Sequence, residues 1–297
     1  MDSSSGSFSS DDTDVSIDHY DVVIGNLKHL RSDESFNDVQ FSLRDGKVLA
    51  NSVIMSMSSD YFATMISNEK EKLIEGQTKD IPMKEYGTKK AMESIVEYVY
   101  SGKMNLETQG FETLLEILNI LKMMLMKTDK LSSRIEKYIN QYVYRGDCYH
   151  GELLRGYLLV ERYCLENIRN SVVRKVHFCI KRFVDKAKAK ASTKEVLQQF
   201  SVKLIKEILL YQEDEDYSKR RLPKTGKKFD FFMIWYSNNK DCDASNLKII
   251  LDSFKLENFS GKELLTVVKQ SGLFSEEDIE KICIEKFERF EDLEDSM

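Results

Sequence analysis

The spacing of apolar residues changes within residues 38–62, and this change limits the folds open to the chain. Apolar and polar residues first alternate, as expected for a strand with one buried face, at Val39, Phe41 and Leu43. Asp45-Gly46 then predicts a tight hairpin turn with positive φ angles. Further on, apolar residues recur at every fourth position with further apolar residues beside them, which predicts one buried helix face: Val53, Met57, Tyr61 and Met65, together with Ile54, Phe62 and Ile66. A hairpin that leads into a packed helix indicates a partner-binding module.

The same stretch resembles the opening of a BTB/POZ domain, whose usual pattern is Asp-Val, a hairpin, an Ala-His-basic step and Ser-x-Tyr-Phe. The matching residues are Asp38, Val39, Ala50, Ser59, Tyr61 and Phe62. The resemblance continues with a short strand at 81–83, a helix that ends at 100–102, and paired closing helices at 114–118 and 131–139. It covers residues 16–144 and implies an α+β domain in which a short β-sheet packs on helices.

Strand-like alternation disappears after residue 146, and helical periodicity replaces it. This part resembles the all-α BACK domain that often follows BTB in kelch-like proteins, at Asp147-Cys148, Glu161-Arg-Tyr-Cys-Leu165 and Phe229–Trp235. The resemblance implies a BACK-like helical domain over 145–275, followed by a C-terminal helix and acidic tail over 276–297. The Ser- and Asp-rich residues 1–15 are predicted to be a disordered tail. No propeller repeat of ~50 residues is apparent, so we expect the kelch-like architecture without kelch repeats.

Composition indicates an intracellular protein that binds neither nucleic acid nor membrane. The 297 residues carry a net charge of -6, which argues against wholesale nucleic-acid binding. The five cysteines are odd in number and scattered, as expected for reduced thiols in the cytoplasm or nucleus. No apolar run approaches the ~18 residues of a membrane helix, and the N-terminal residues lack the apolar core of a signal peptide.

The sequence gives no indication of catalysis. It lacks the glycine-rich phosphate-binding motifs and the G-x-S-x-G nucleophile motif. The cysteines and histidines lack the paired spacing of a zinc site, so we expect core cysteines and surface histidines, with no metal and no cofactor. A hydrolase or metal enzyme stays the third hypothesis, which stoichiometric zinc in the purified protein would revive. The basic stretches 181–190 and 219–228 are interpreted as solvated, mixed-charge loops or, alternatively, as patches that act as a nuclear-import signal or contact an acidic partner.

The resemblance implies a binding site for cullin-3, the scaffold of a ubiquitin ligase. Related domains bind it through a groove that includes a hydrophobic-x-Glu signature. Counting back eight residues from the strand at Ile81 places this signature at Leu73-Ile74-Glu75, where Leu73 would fill an apolar pocket and Glu75 would accept hydrogen bonds. A count forward from Phe62 reaches Lys70-Glu71-Lys72, which does not fit. The alternative is that Leu73 and Ile74 only cover the core.

The resemblance also implies a homodimer. The apolar stripe predicted for the first helix needs a cover, and a second copy can supply it: Tyr20, Val23, Leu27 and Leu30. The alternative is a helix packed on its own core. Asp38 is the other interface candidate, because relatives place a basic residue opposite it. Here Asn51 and Ser52 occupy the usual histidine and basic positions, so we expect Ser52 or a backbone amide to pair with Asp38.

The leading hypothesis is therefore a non-enzymatic adaptor. The protein would be a dimeric subunit that recruits an unknown client protein to a cullin-3 RING ubiquitin ligase. The alternative is an assembly scaffold that acts through BTB pairing, for example in transcriptional regulation, without cullin-3.

Overall fold

The computed structural model describes residues 20–69, 78–127, 129–145, 150–211 and 224–294. The chain divides into two compact units. One comprises residues 1–104 and 124–127, and the other comprises residues 105–123 and 128–297. Within the described ranges, no helix is both long enough and apolar enough to span a bilayer.

The first unit holds a three-stranded sheet with helices around it. Its elements are α1 (Tyr20–Ser32), a 3₁₀ turn (Glu34–Phe36), β1 (Val39–Leu43), β2 (Gly46–Ala50), α2 (Ser52–Ser58), α3 (Asp60–Glu69), β3 (Lys79–Pro82) and α4 (Lys89–Ser101). The strand order is β2-β1-β3, with β1 antiparallel to β2 and parallel to β3. This confirms the predicted α+β fold with a short sheet.

The core of this unit forms where α3 and α4 meet the sheet. The rings of Phe41 in β1 and Phe62 in α3 lie 5.1 Å apart, and both are buried. Thr88 caps the start of α4 by accepting a hydrogen bond from Ala91 N. The helix ends at Gly102, as predicted, and this residue adopts the left-handed conformation, with φ at 67°.

The predicted hairpin is confirmed, but its turn differs from the prediction. Leu43 pairs with Gly46, so Arg44 and Asp45 form the two-residue loop. Among the described non-glycine residues, positive φ occurs only at Leu125 and Cys164, so Asp45 does not adopt it. Instead, the Asp45 carboxylate accepts a hydrogen bond from Lys89 N at 2.6 Å. A tertiary contact to the start of α4 therefore helps to fix the turn.

The prediction of one continuous buried face over residues 53–65 is wrong. Ser59 adopts an extended conformation between α2 and α3, with φ at -147° and ψ at 125°. Its hydroxyl donates to the Met124 carbonyl and accepts from Phe62 N at 3.1 Å, so it caps α3. The interruption changes the helical phase. Phe62 is buried as expected, and Met55 is buried as well. Of the other positions expected inside, Val53, Met57 and Tyr61 are exposed, whereas Ile54 and Met65 are half-buried.

The second unit is built from helices in the part that the structure describes. They are α5 (Phe111–Met123), α6 (Asp129–Arg145), α7 (His150–Arg162), α8 (Glu166–Ala189), α9 (Ala191–Gln198), α10 (Val202–Leu209), α11 (Thr225–Tyr236), α12 (Ala244–Asp252), a 3₁₀ turn (Leu256–Asn258), α13 (Gly261–Glu263), a π-helical turn (Leu264–Val268), α14 (Lys269–Ser271) and α15 (Glu276–Glu294). This helical region is consistent with the predicted BACK-like domain.

The long helix α8 lies at the centre of the second unit and packs against α6, α7, α10 and α11. A buried aromatic cluster joins α11 to the segment after α12, with Phe229 lying 5.3 Å from Phe254 and 5.6 Å from Phe259. Trp235 is buried in the same helix, and its Nε1 donates to the Phe200 carbonyl at 2.7 Å. The compact units place α5 and α6 with the helices that follow them, and the predicted domain boundary at residues 144 and 145 stays a prediction.

Candidate protein-interaction surface

The segment that joins the hairpin to α2 is held by polar contacts around Asp38. The Asp38 carboxylate accepts hydrogen bonds from Ser52 N and Ser52 Oγ, each at 2.6 Å. Asp38 is exposed, and the predicted pairing with Ser52 and a backbone amide is present in this single chain. A neutral donor pair thus satisfies Asp38 at the position where the sequence resemblance would place a basic residue.

Asn51 has a local structural role at the other replaced position. Its Oδ1 accepts from Val53 N at 3.0 Å and from Ile54 N at 3.2 Å, which caps α2. Its Nδ2 donates to the Phe36 carbonyl at 2.7 Å. One side chain therefore ties the 3₁₀ turn to the start of α2.

Tyr100 connects this segment to the end of α4. Its hydroxyl oxygen accepts a hydrogen bond from Asn51 N at 2.9 Å. Burial raises the pKa of Tyr100 above its usual value, so the hydroxyl stays protonated and neutral at physiological pH. The start of α2 and the end of α4 are thereby held together without a charge.

The predicted dimer stripe lies on α1, which packs against α4. Tyr20 is the first residue of this helix, and its side chain lies outside the described part of the structure. Val22 and Val23 are exposed, whereas Leu27 and Leu30 are half-buried. The helix therefore combines a face on its own unit with exposed valines. Its role in a dimer stays a prediction.

A second exposed apolar surface surrounds the break between α2 and α3. Four side chains, which we call the kink surface, have exposed fractions of 62%, 72%, 40% and 62%: Val53, Met57, Tyr61 and Leu125. The segment that carries Leu125 is fixed beside the break because Asp60 N donates to the Leu125 carbonyl at 3.4 Å and Lys127 N donates to the Ser58 carbonyl at 2.9 Å. Lys127 Nζ also lies 2.9 Å from the Asp60 carboxylate.

Sequence reasoning missed the kink surface because it assumed one continuous helix. Ser59-Asp60 carried a usable signal, since a serine followed by an acidic residue is typical of a helix start. A restart at Asp60 would have kept Phe62 on the buried face, as predicted, and placed Tyr61 outside. The predicted cullin-binding residues Leu73 and Glu75 lie outside the described residues, between the end of α3 at Glu69 and the start of β3 at Lys79.

The histidine and cysteine predictions are partly wrong. His177 is fully buried in α8, where its Nδ1 donates to the Ile208 carbonyl at 2.6 Å. Burial lowers the pKa of His177 to about 4, so the ring is neutral at physiological pH. Cys179 is buried as expected, whereas Cys164 is exposed. Across the described ranges, no three His, Cys, Asp or Glu residues cluster in a way that could hold a metal ion.

Comparison with known proteins identifies the domain that carries these surfaces. A family model for the BTB/POZ domain matches residues 27–139. Among solved structures, the BTB domain of zebrafish PATZ1 is 19% identical, with a TM-score of 0.32, and the match covers 43% of this chain and 93% of that one.

The BTB (Tramtrack and Bric a brac) domain of human Gigaxonin is 15% identical, with a TM-score of 0.31, and the match covers 47% of this chain and 99% of that one. No curated protein matches. The family model is specific to one domain type and spans the hairpin, the kink surface, α4, α5 and most of α6. Residues 27–139 of this chain therefore form a BTB/POZ domain.

Proposed function

We propose that this protein is a non-enzymatic adaptor that recruits a client protein to a cullin-3 RING ubiquitin ligase. The BTB/POZ domain indicates a protein-interaction or oligomerisation adaptor, and such domains are generally not enzymes. The kink surface is the observation that supports the cullin-3 step. It offers exposed apolar side chains on the same unit as Leu73 and Glu75.

The chemistry of the kink surface suits a protein partner. Met57 provides a flexible, polarisable side chain and Tyr61 an aromatic one, and both types are common at interface centres. Covering apolar surface contributes roughly 25 cal/mol per Å² before the costs of association are subtracted. Lys127 and Asp60 lie at the edge of the patch and are suited to a polar rim.

A cullin-3 pull-down tests this proposal. We expect wild type to recover cullin-3, whereas Leu73→Asp combined with Glu75→Lys, or Met57→Asp alone, should reduce recovery at least tenfold. Met57 is exposed, so its substitution should leave the fold intact. The matched control is Leu265→Asp, which introduces the same charge at an exposed apolar residue of the second unit and should bind like wild type.

The same experiment addresses the alternative, an assembly scaffold without cullin-3. Exposed Val22 and Val23 on α1 favour self-association, which is common among BTB domains. Equal recovery of cullin-3 by wild type and by the Leu73/Glu75 variant, or by neither, would reject the cullin-3 step and favour the scaffold. In both cases the protein positions its partners and does not catalyse a reaction itself. We propose that it acts in the cytoplasm or nucleus.

A further inference from the structure

A groove of about 1210 Å³ runs between α6 and α8 in the second unit, and positive charge dominates its lining. The charged lining residues are Lys137, Arg145, Arg174, Lys175, Arg182 and Glu136. Five cations and one carboxylate thus share a groove in a chain whose net charge is -6. The groove reverses the sign of the overall charge locally and attracts anionic groups.

Most of this positive charge is available to a partner. Lys137, Arg145 and Arg182 are exposed, and none of them forms an ion pair with another described residue. Glu136 binds Asn167, because both of its carboxylate oxygens accept hydrogen bonds from Asn167 Nδ2 at 3.1 Å. Glu136 keeps its charge, but one carboxylate against five cations leaves the lining positive.

The groove also offers apolar and aromatic contacts. Tyr144 from α6 is exposed, and Phe178 from α8 is half-buried under the Arg174 guanidinium, which lies 5.8 Å from the ring centroid. Lys175 Nζ donates to the Tyr144 carbonyl at 3.4 Å, which joins the two walls. Cations beside two rings suit a ligand with carboxylates around an apolar anchor.

We propose that the groove between α6 and α8 binds an acidic segment of a partner protein, with an apolar or aromatic side chain of that segment against Tyr144 and Phe178. This inference is independent of cullin-3 and of dimerisation. The volume exceeds the roughly 300–1,000 Å³ of small-molecule sites, so the groove has room for an extended peptide.

Two observations favour an acidic peptide over a nucleic acid. A long polyanion would meet the net charge of -6 beyond the groove, whereas a short segment contacts the cations alone. Asn140 also lines the groove, and its buried Oδ1 has no hydrogen-bond partner within the described ranges. After a rotation of this side chain, a peptide N–H can donate to Oδ1. A phosphate backbone has no such donor.

Fluorescence anisotropy with full-length protein tests the proposal. The probe is a labelled twelve-residue peptide of alternating Glu and Ser with one central Phe. We expect micromolar binding that weakens with added salt. Lys137→Glu combined with Arg182→Glu should weaken binding at least tenfold, because it reverses one exposed charge on each wall. The matched control, Lys203→Glu with Lys248→Glu, changes the net charge equally at exposed positions on α10 and α12 and should stay within twofold of wild type.

Further arms separate the possible ligands. Replacing the central Phe of the peptide by Ser should weaken binding at least threefold. A single-stranded oligonucleotide of equal charge that binds more tightly than the peptide would overturn the proposal in favour of nucleic acid. If the groove variant and the control variant lose peptide binding equally, the binding depends on overall charge and the proposal is overturned. If wild type does not bind the peptide, the proposal is also overturned. This holds even if acidic residues of the same chain fill the groove and block the peptide. Circular dichroism checks that each variant is folded.

Discussion

At the residue scale, the two departures from the family pattern have a local structural explanation. Ser52 supplies both donors to the Asp38 carboxylate, and Asn51 caps α2 while it binds the Phe36 carbonyl. These hydrogen bonds form within one chain and need no cation from a second copy. The sequence identified the replaced positions, and the structure shows that neutral donors satisfy Asp38.

The Asn51 cap can be tested by hydrogen exchange. Asn51→Ala removes both cap bonds and the bond to Phe36, so we expect the α2 start to lose about 1–2 kcal/mol of local stability. The measurement is the exchange rate of the Val53 and Ile54 amides, which should rise by about tenfold. Asn51→Asp keeps the acceptor and should protect these amides nearly as well as wild type. Unchanged exchange in Asn51→Ala would contradict the capping role.

His177 makes folding stability depend on pH. Its pKa is about 4 in the folded protein and 6.5 in the reference state, so burial disfavours the charged form. Below pH 6.5 the unfolded chain binds a proton that the folded chain excludes. The contribution of His177 to the free energy of unfolding is therefore fully present above pH 6.5. It is lost progressively as the pH falls to about 4, by about 3 kcal/mol in total.

Urea unfolding at several pH values checks this prediction. His177→Asn places an amide donor near the Ile208 carbonyl and does not titrate. It should be less stable than wild type at pH 7 because the ring volume is lost, but the difference should shrink between pH 6.5 and 4. Parallel stability curves for the two proteins over this range would show that His177 does not titrate as inferred.

At the element scale, close helix packing in the second unit depends on a glycine. A Cβ added at Gly156 in α7 would lie 2.1 Å from Phe111 Cε1 in α5, far inside any real contact distance. The two helices approach each other closely at this point because Gly156 has no side chain. The Phe111 ring, which is buried, occupies the space that any other residue would need.

Alanine substitutions in α7 test this packing against a control in the same helix. Gly156→Ala should lower the free energy of unfolding by about 1–3 kcal/mol, because Phe111 or the helix must shift. Gly151→Ala meets only Arg155 Nη1 at 3.6 Å and should raise stability by about 0.5 kcal/mol. Thermal unfolding midpoints should therefore move in opposite directions. Equal shifts for the two variants would rule out the close approach.

A buried polar cluster links three helices of the same unit. Arg169 in α8 forms two hydrogen bonds with Glu207 in α10, at 2.9 and 2.8 Å, and Tyr157 in α7 donates to the same carboxylate at 3.0 Å. Burial opposes the charge on Arg169, but the bonds to Glu207 outweigh it and raise the pKa of the guanidinium. Burial, together with the nearby Glu207 charge, raises the pKa of Tyr157. Arg169 therefore stays charged and Tyr157 stays neutral at physiological pH.

At the scale of the whole molecule, the oligomeric state is the property that the proposed adaptor depends on. We expect light scattering at micromolar concentration to give twice the mass of one 34.6 kDa chain. Val23→Asp should return the mass to one chain, because Val23 is 53% exposed on α1 and a carboxylate there opposes burial in an interface. Leu265→Asp is the control and should remain dimeric. A wild-type monomer would reject the α1 interface.

The positions and ends of several strands and helices follow from short-range sequence signals. Alternation at residues 39–43 predicts the hairpin strand and Gly102 the end of α4, because both signals act through neighbours within a few residues. The family pattern extended this to an α+β domain followed by helices. Charge and cysteine number also depend on the sequence alone.

The sequence by itself therefore indicated the order of the elements, which depends on local periodicity and turns, and its resemblance to a family pattern indicated the domain type. The tertiary structure alone decided which faces are buried. Ser59 meets the Met124 carbonyl across 65 positions at the break between α2 and α3, and Met57 and Tyr61 beside this break face solvent. The tertiary structure likewise buries His177 and brings the cations of α6 and α8 into one groove. Such contacts join residues that are distant along the chain, and local sequence patterns do not predict which of these residues will be in contact.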